Sequence, residues 1–185
     1  MISRLLIFIG ITCLGIYGFF TAQAHFHQQW LEEEFDQQVQ PVQPKDLPAE
    51  PATEKSLPER NLKEGDLFGR LEIPRLNLSV MVMEGAEDDV LRLGAGHVPG
   101  TSLAIAGHRD TFFRPLKDIK AFDLIRISTK DGSADYRVIS TKIVGPKDTW
   151  VLDNESSDTL TLITCYPFYY VGPAPERFIV EAMKN

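Results

Sequence analysis

Three residues in the second half of the chain have types and settings suited to acyl transfer: Cys165, His108 and Arg177. Cys165 closes the apolar run Thr159-Leu160-Thr161-Leu162-Ile163-Thr164 and precedes Tyr166-Pro167. A side chain at the end of a strand, just before a loop, is fixed by the ladder yet reaches the surface. A free thiol, with a pKa of about 8.5, is mostly protonated at neutral pH and needs a neighbouring base or cation to act as a nucleophile. His108 ends a second apolar run, Leu103-Ala104-Ile105-Ala106-Gly107, and so mirrors the setting of Cys165. Arg177 opens the last apolar run, Arg177-Phe178-Ile179-Val180. A guanidinium there supplies fixed donors for the oxygen of a tetrahedral intermediate. Each residue also has a plain reading: a packed thiol, a loop histidine, a surface ion-pair partner. His97, in Gly96-His97-Val98-Pro99-Gly100, reads as an exposed or hydrogen-bonded histidine of a turn.

The elements that must position these groups are strands. From Leu67 on, short apolar runs alternate with Gly, Pro, Asp and Asn, the pattern of an all-β domain. Strands are predicted at Phe68–Ile73, Leu78–Met83, Leu103–Ala106, Asp123–Ser128, Tyr136–Val144, Thr159–Thr164 and Phe178–Ala182. Short helices or helical turns are predicted at Glu87–Leu93 and Phe112–Ile119. So many strands without long intervening helices call for a closed or nearly closed barrel, in which neighbouring strands bring His108 and Cys165 together.

The front of the chain has a different character. Leu5 to Ala24 is an uncharged run of 20 residues, about the length an α-helix needs to cross a bilayer. Arg4 precedes it and Glu32-Glu33-Glu34 follows it, which places the N-terminus inside and exports the rest. Residues 1–24 therefore read as a membrane anchor. Ala22-Gln23-Ala24 also fits a signal-peptide cleavage site, a reading that exports the same domain. Residues 25–66 are acidic, with five prolines between Pro41 and Pro58, and read as a spacer. Phe26, Trp30, Leu31 and Phe35 are spaced to share one helical face early in that segment. The folded domain is assigned to residues 67–185.

The domain holds 14 basic and 16 acidic side chains and no basic run, which argues against nucleic acid as a partner. The chain has two cysteines, and Cys13 lies in the apolar segment. An exported domain with one unpaired thiol signals either a reactive cysteine or an intermolecular bridge. His25 and His27 lack the clustered ligands of a metal site, and no acidic loop has the make-up of a calcium site. No metal or other cofactor is expected.

Ala106-Gly107-His108-Arg109-Asp110-Thr111-Phe112-Phe113, Thr159-Leu160-Thr161-Leu162-Ile163-Thr164-Cys165 and Glu176-Arg177-Phe178 together resemble the histidine, Thr-Leu-x-Thr-Cys and arginine motifs of sortases. Gly96-His97-Val98-Pro99-Gly100-Thr101 and Lys147-Asp148-Thr149-Trp150-Val151-Leu152 are similar to the class D and Gram-negative-type branches. The resemblance covers residues 67–183. It implies an eight-stranded sortase barrel behind a transmembrane helix, and ping-pong transpeptidation at the outer face of the cytoplasmic membrane. Cys165 would attack an LPxTG-like sorting motif near the C-terminus of an exported protein, and an amine of a cell-wall peptide or a pilin lysine would resolve the acyl-enzyme. His108 would act as acid and base and Arg177 would stabilise the oxyanion. Thr164, Ala106 and Tyr166 would contact substrate, with Gly145–Asp158 and Tyr166–Glu176 as walls of the groove. Asp110 reads as a turn residue. The competing readings are a thiol peptidase that only hydrolyses and a non-catalytic anchored binding module.

Overall fold

The computed structural model describes residues 62–152, 156 and 158–185, with isolated positions 7, 10–12, 14, 15, 29–31 and 33 before them. Eight strands form a closed barrel: β1 (Leu67–Ile73), β2 (Leu78–Glu84), β3 (Ala95–His97), β4 (Ala104–Gly107), β5 (Leu124–Thr129), β6 (Gly132–Val144), β7 (Thr159–Tyr166) and β8 (Glu176–Lys184). Around the barrel they follow the order β1-β2-β3-β4-β7-β8-β6-β5. The pairs β2/β3 and β4/β7 are parallel and the other strand pairs are antiparallel.

Period-2 alternation builds the interior. Leu71 and Ile73, Val80 and Val82, Ile125 and Ile127, Leu160 and Leu162, and Val180 and Ala182 all point into one core. Each Val, Leu or Ile side chain among them contributes about 1.5–3 kcal/mol on burial. Tyr136 lies in the same core, and burial, then the nearby Asp158, pushes its hydroxyl up to about 12, so the ring stays neutral at any working pH.

Local pattern and structure differ at several places. Strand β3 was not among the predicted strands, because Ala95-Gly96-His97 is too short and glycine-rich to show periodicity. It forms because β2 and β4 flank it on both sides. His97 is accordingly a buried strand residue and not a turn residue: its ring stacks on Phe68 at 4.5 Å and Nδ1 lies 2.8 Å from Glu84 Oε2. The predicted helix Glu87–Leu93 is present as α1 (Asp88–Leu93). Phe112–Ile119 holds a helical turn of the 3-10 type, Arg114–Asp118, with Pro115 in its first turn, as the pattern predicts. Strands β7 and β8 run further than predicted, so Cys165 and Arg177 lie inside paired strands rather than at their margins.

The outer face of β2 carries a smaller cluster. Met81, Met83 and Val90 pack with Leu31, which is itself buried. The segment read as a spacer therefore contains a residue seated on the barrel wall. The proline-rich stretch Pro41–Pro58 and most of the apolar segment 5–24 lie outside the described residues. Among the described residues, no helix is long and apolar enough to cross a membrane.

Candidate active site

Strands β7 and β8 bring Cys165 and Arg177 together. The two residues are direct partners in the antiparallel register, which sets their Cβ atoms about 4.5–5.5 Å apart on one face. That face is the outside of the barrel, because Leu160 and Leu162 on β7, and Val180 and Ala182 on β8, turn inward. Cys165 is a half-buried free thiol. Arg177 is held along its strand start by hydrogen bonds from Nη1 to Glu176 O at 3.0 Å and Ala174 O at 3.3 Å.

The parallel pair β4/β7 supplies the third residue. Gly107, the last residue of β4, is registered with Thr164, so His108 leaves β4 at the level where β7 reaches Cys165. Adjacent strands lie about 4.8 Å apart, so the backbone that leads into His108 runs close to that of Cys165. The Thr164 hydroxyl donates to Gly107 O at 2.7 Å and ties the two ends together. Glycine is needed at 107 because a Cβ there would stand 2.7 Å from the ring of fully buried Phe113. The chain then turns: Phe113 N–H donates to His108 O at 3.0 Å, and Asp110 is exposed in that turn.

The remaining expected site residues divide. Ala106 is registered with Ile163 and shares the outer face with Cys165, where a small side chain leaves room over the strands. Thr164 does not line that face. It is 2 % exposed and its hydroxyl is spent on Gly107 O, because the alternation that turns Cys165 outward turns its predecessor inward. Tyr166 belongs to an aromatic group, stacked on Phe178 at 6.2 Å and edge-on to Phe168 at 5.9 Å. On the opposite flank, β6 ends at Val144 beside Arg177, so the loop from Gly145 starts next to the guanidinium. Two cations of the segment after His108, Arg109 and Arg114, reach the loop that follows Cys165. Sequence reading did not single them out, since their partners are backbone carbonyls and rings some 55 to 63 positions away.

A Sortase domain family model matches residues 71–185, which include all three candidate catalytic residues. The chain belongs to the sortase family. The similarity extends to sortase D of Bacillus subtilis, 36% identical over 124 residues that make up 63% of each chain. Sortase A of Bacillus anthracis is 26% identical over 115 residues, 57% of this chain and 55% of that one. The chain thus spans between about half and two thirds of the length of these curated relatives. Among solved structures, a Clostridium perfringens sortase C with the C-terminal cell wall sorting motif aligns with a TM-score of 0.62 at 29% identity, covering 68% of this chain and 74% of that one. A Clostridium perfringens sortase D5 transpeptidase aligns at 0.60 and 28% identity, covering 67% and 82%. The sortase barrel is thereby matched in sequence and in topology, with a likeness to class D.

Proposed function

We propose that the chain is a membrane-anchored cysteine transpeptidase that cleaves a C-terminal sorting motif and passes the acyl group to an amine. The observation that supports this reading is the register that pairs Cys165 with Arg177, together with the pairing of β7 with β4, the strand that His108 directly follows. A thiol, an imidazole and a guanidinium on neighbouring strands are the groups such a reaction needs.

The steps follow from their placement. The Cys165 sulfur, as thiolate, adds to the scissile carbonyl carbon, and the guanidinium of Arg177 stabilises the oxygen that becomes negative. The C–N bond breaks as protonated His108 gives its proton to the leaving amine, and a thioester remains. An incoming amine then attacks the thioester carbon and loses its proton to His108. The C–S bond breaks, and the thiolate and imidazolium are restored. Substrate lies over the outer face of β4 and β7, where Ala106 offers a shallow floor. The segments Gly145–Asp158 and Tyr166–Glu176 are the proposed walls of the groove. The apolar run Leu5–Ala24 supports a single-pass anchor with the barrel on the extracytoplasmic side. The relative solved with a cell wall sorting motif supports an LPxTG-like substrate class. The acceptor is an amine of a cell-wall peptide or a pilin lysine.

The test uses the full chain in detergent with a library of quenched LPxTG-like peptides and short amines. Mass spectrometry follows the adduct on Cys165 and the ligated product. Both should form in the wild type and vanish in Cys165→Ala and His108→Ala. An adduct that yields only hydrolysed peptide with every amine would convert the assignment to a thiol peptidase. No adduct, with slow alkylation of Cys165 by iodoacetamide, would leave a binding module.

A further inference from the structure

The loop that follows the nucleophile, from Pro167 to Pro175, lacks strand or helix of its own and is held by three arginines. Arg109, next in sequence to His108, donates from one Nη2 to Tyr170 O at 2.8 Å and to Gly172 O at 3.1 Å. Its guanidinium also lies 5.8 Å from the Tyr170 ring centroid. Arg114 stands 5.7 Å from the Tyr169 ring. At the far end, Arg177 donates to Ala174 O. Within the loop itself, Tyr170 N–H donates to Pro167 O at 3.3 Å, a long bond. Val171, between the two carbonyls that Arg109 grips, is 96 % exposed and contributes no packing. At its start the loop is anchored by Phe168, which packs on the barrel core and on Phe178 at 5.3 Å; beyond Phe168 its position is set by attachments to the His108 segment and to Arg177.

The geometry points to Arg109 as a positioning residue: it straps the loop after Cys165 to the segment that carries His108 and so sets one wall of the substrate groove. This inference rests on the transpeptidase reading for its kinetic consequence, though not for its structural one. A charged donor gripping two backbone carbonyls acts on the loop's freedom without touching the reacting atoms. Release of the strap would enlarge the loop's ensemble, and substrate would have to select the closed arrangement. Binding should then suffer more than the chemical step.

The experiment combines hydrogen exchange with steady-state kinetics on full-length wild type, Arg109→Ala and Arg109→Lys. In Arg109→Ala, amides of residues 168–174 should exchange faster while the β4, β7 and β8 amides keep their rates. The KM for a cleaved peptide should rise about 10-fold with kcat changed less than about 3-fold, the pattern of lost binding that is equal in ground and transition states. Cys165 alkylation by iodoacetamide should keep its rate and pH profile. Arg109→Lys, which retains a charged donor for the carbonyls but not the planar stack, should recover most of the KM. Unchanged loop exchange in Arg109→Ala would overturn the strap. Loss of kcat at constant KM would also overturn it, by placing Arg109 in the chemistry. Faster exchange throughout the barrel, with no recovery in Arg109→Lys, would reduce Arg109 to a stabilising residue. If no peptide is acylated by the wild type, the transpeptidase reading fails, and the exchange of residues 168–174 alone decides the strap.

Discussion

The Thr164 hydroxyl donates to Gly107 O across the parallel β4/β7 pair, one residue before the nucleophile on one strand and one before the histidine on the other. This buried bond fixes the relative height of the two strand ends. Its loss would loosen their alignment while leaving the side chains of Cys165 and His108 intact.

Thr164→Val keeps the shape and removes the donor. Leaving a buried carbonyl short of its partner costs about 1–3 kcal/mol. Peptide cleavage should drop about 10-fold in kcat/KM through misalignment of His108 and Cys165. Thr164→Ser should restore most of it. Fluorescence of a quenched peptide, with thermal unfolding alongside, checks both. Equal activity in Thr164→Val and wild type would show that the strand ends are aligned by the ladder alone.

Arg177→Lys keeps a positive charge but loses the planar fork opposite Cys165. Removal of an oxyanion donor costs about 100- to 1,000-fold in kcat, and the lysine variant should fall short of that loss by no more than about tenfold. Single-turnover acylation measured by mass spectrometry is the readout. A lysine variant as fast as wild type would remove Arg177 from oxyanion stabilisation.

Gly107→Ala would push a methyl against the Phe113 ring, which is fully buried and cannot swing clear. Overpacking of this kind costs about 1–3 kcal/mol. The variant should melt several degrees lower and lose activity, since the displaced segment carries His108. Gly107→Ala combined with Phe113→Leu should regain stability. A single variant with wild-type melting would show that Phe113 yields more than its packing implies.

The pH dependence of stability follows from Asp123. Its carboxylate is 7 % exposed, grips the Arg75 guanidinium at both oxygens and accepts Lys120 N–H at 2.7 Å. The hydrogen bond from Arg75 holds its pKa below the usual carboxylate range. Asp135, bonded to Arg126, is lowered in the same way. A lowered folded-state pKa adds stability that is complete above the unfolded pKa, about 4, and is lost as pH falls below it. Melting should therefore stay level near neutrality and fall below about pH 5. Asp123→Asn should melt at a lower temperature at pH 7 and show a shallower acid decline. Parallel acid profiles for the two proteins would count against Asp123 as a source of the decline.

Much of this was legible in the residues themselves. Two-residue alternation and Gly/Pro punctuation are local properties, so seven strands and the helix α1 could be placed from them, though β6, β7 and β8 proved longer. Strand β3 escaped because three residues carry no period, and His97 was misplaced with it. Cys165, His108 and Arg177 stood out as a thiol, an imidazole and a guanidinium at the margins of apolar runs.

What the sequence by itself determined is the all-β class and the cast of reactive groups, because both depend on residue type and short-range spacing. Tertiary structure alone decided that β7 sits between β4 and β8, since a parallel pairing of strands some 57 residues apart leaves no local trace. That choice makes Arg177 the partner of Cys165, turns Thr164 inward to tie β4 to β7, and lets Arg109 reach the loop beyond the nucleophile. The chemistry was written in residue types; its geometry comes from register, which only the closed barrel specifies.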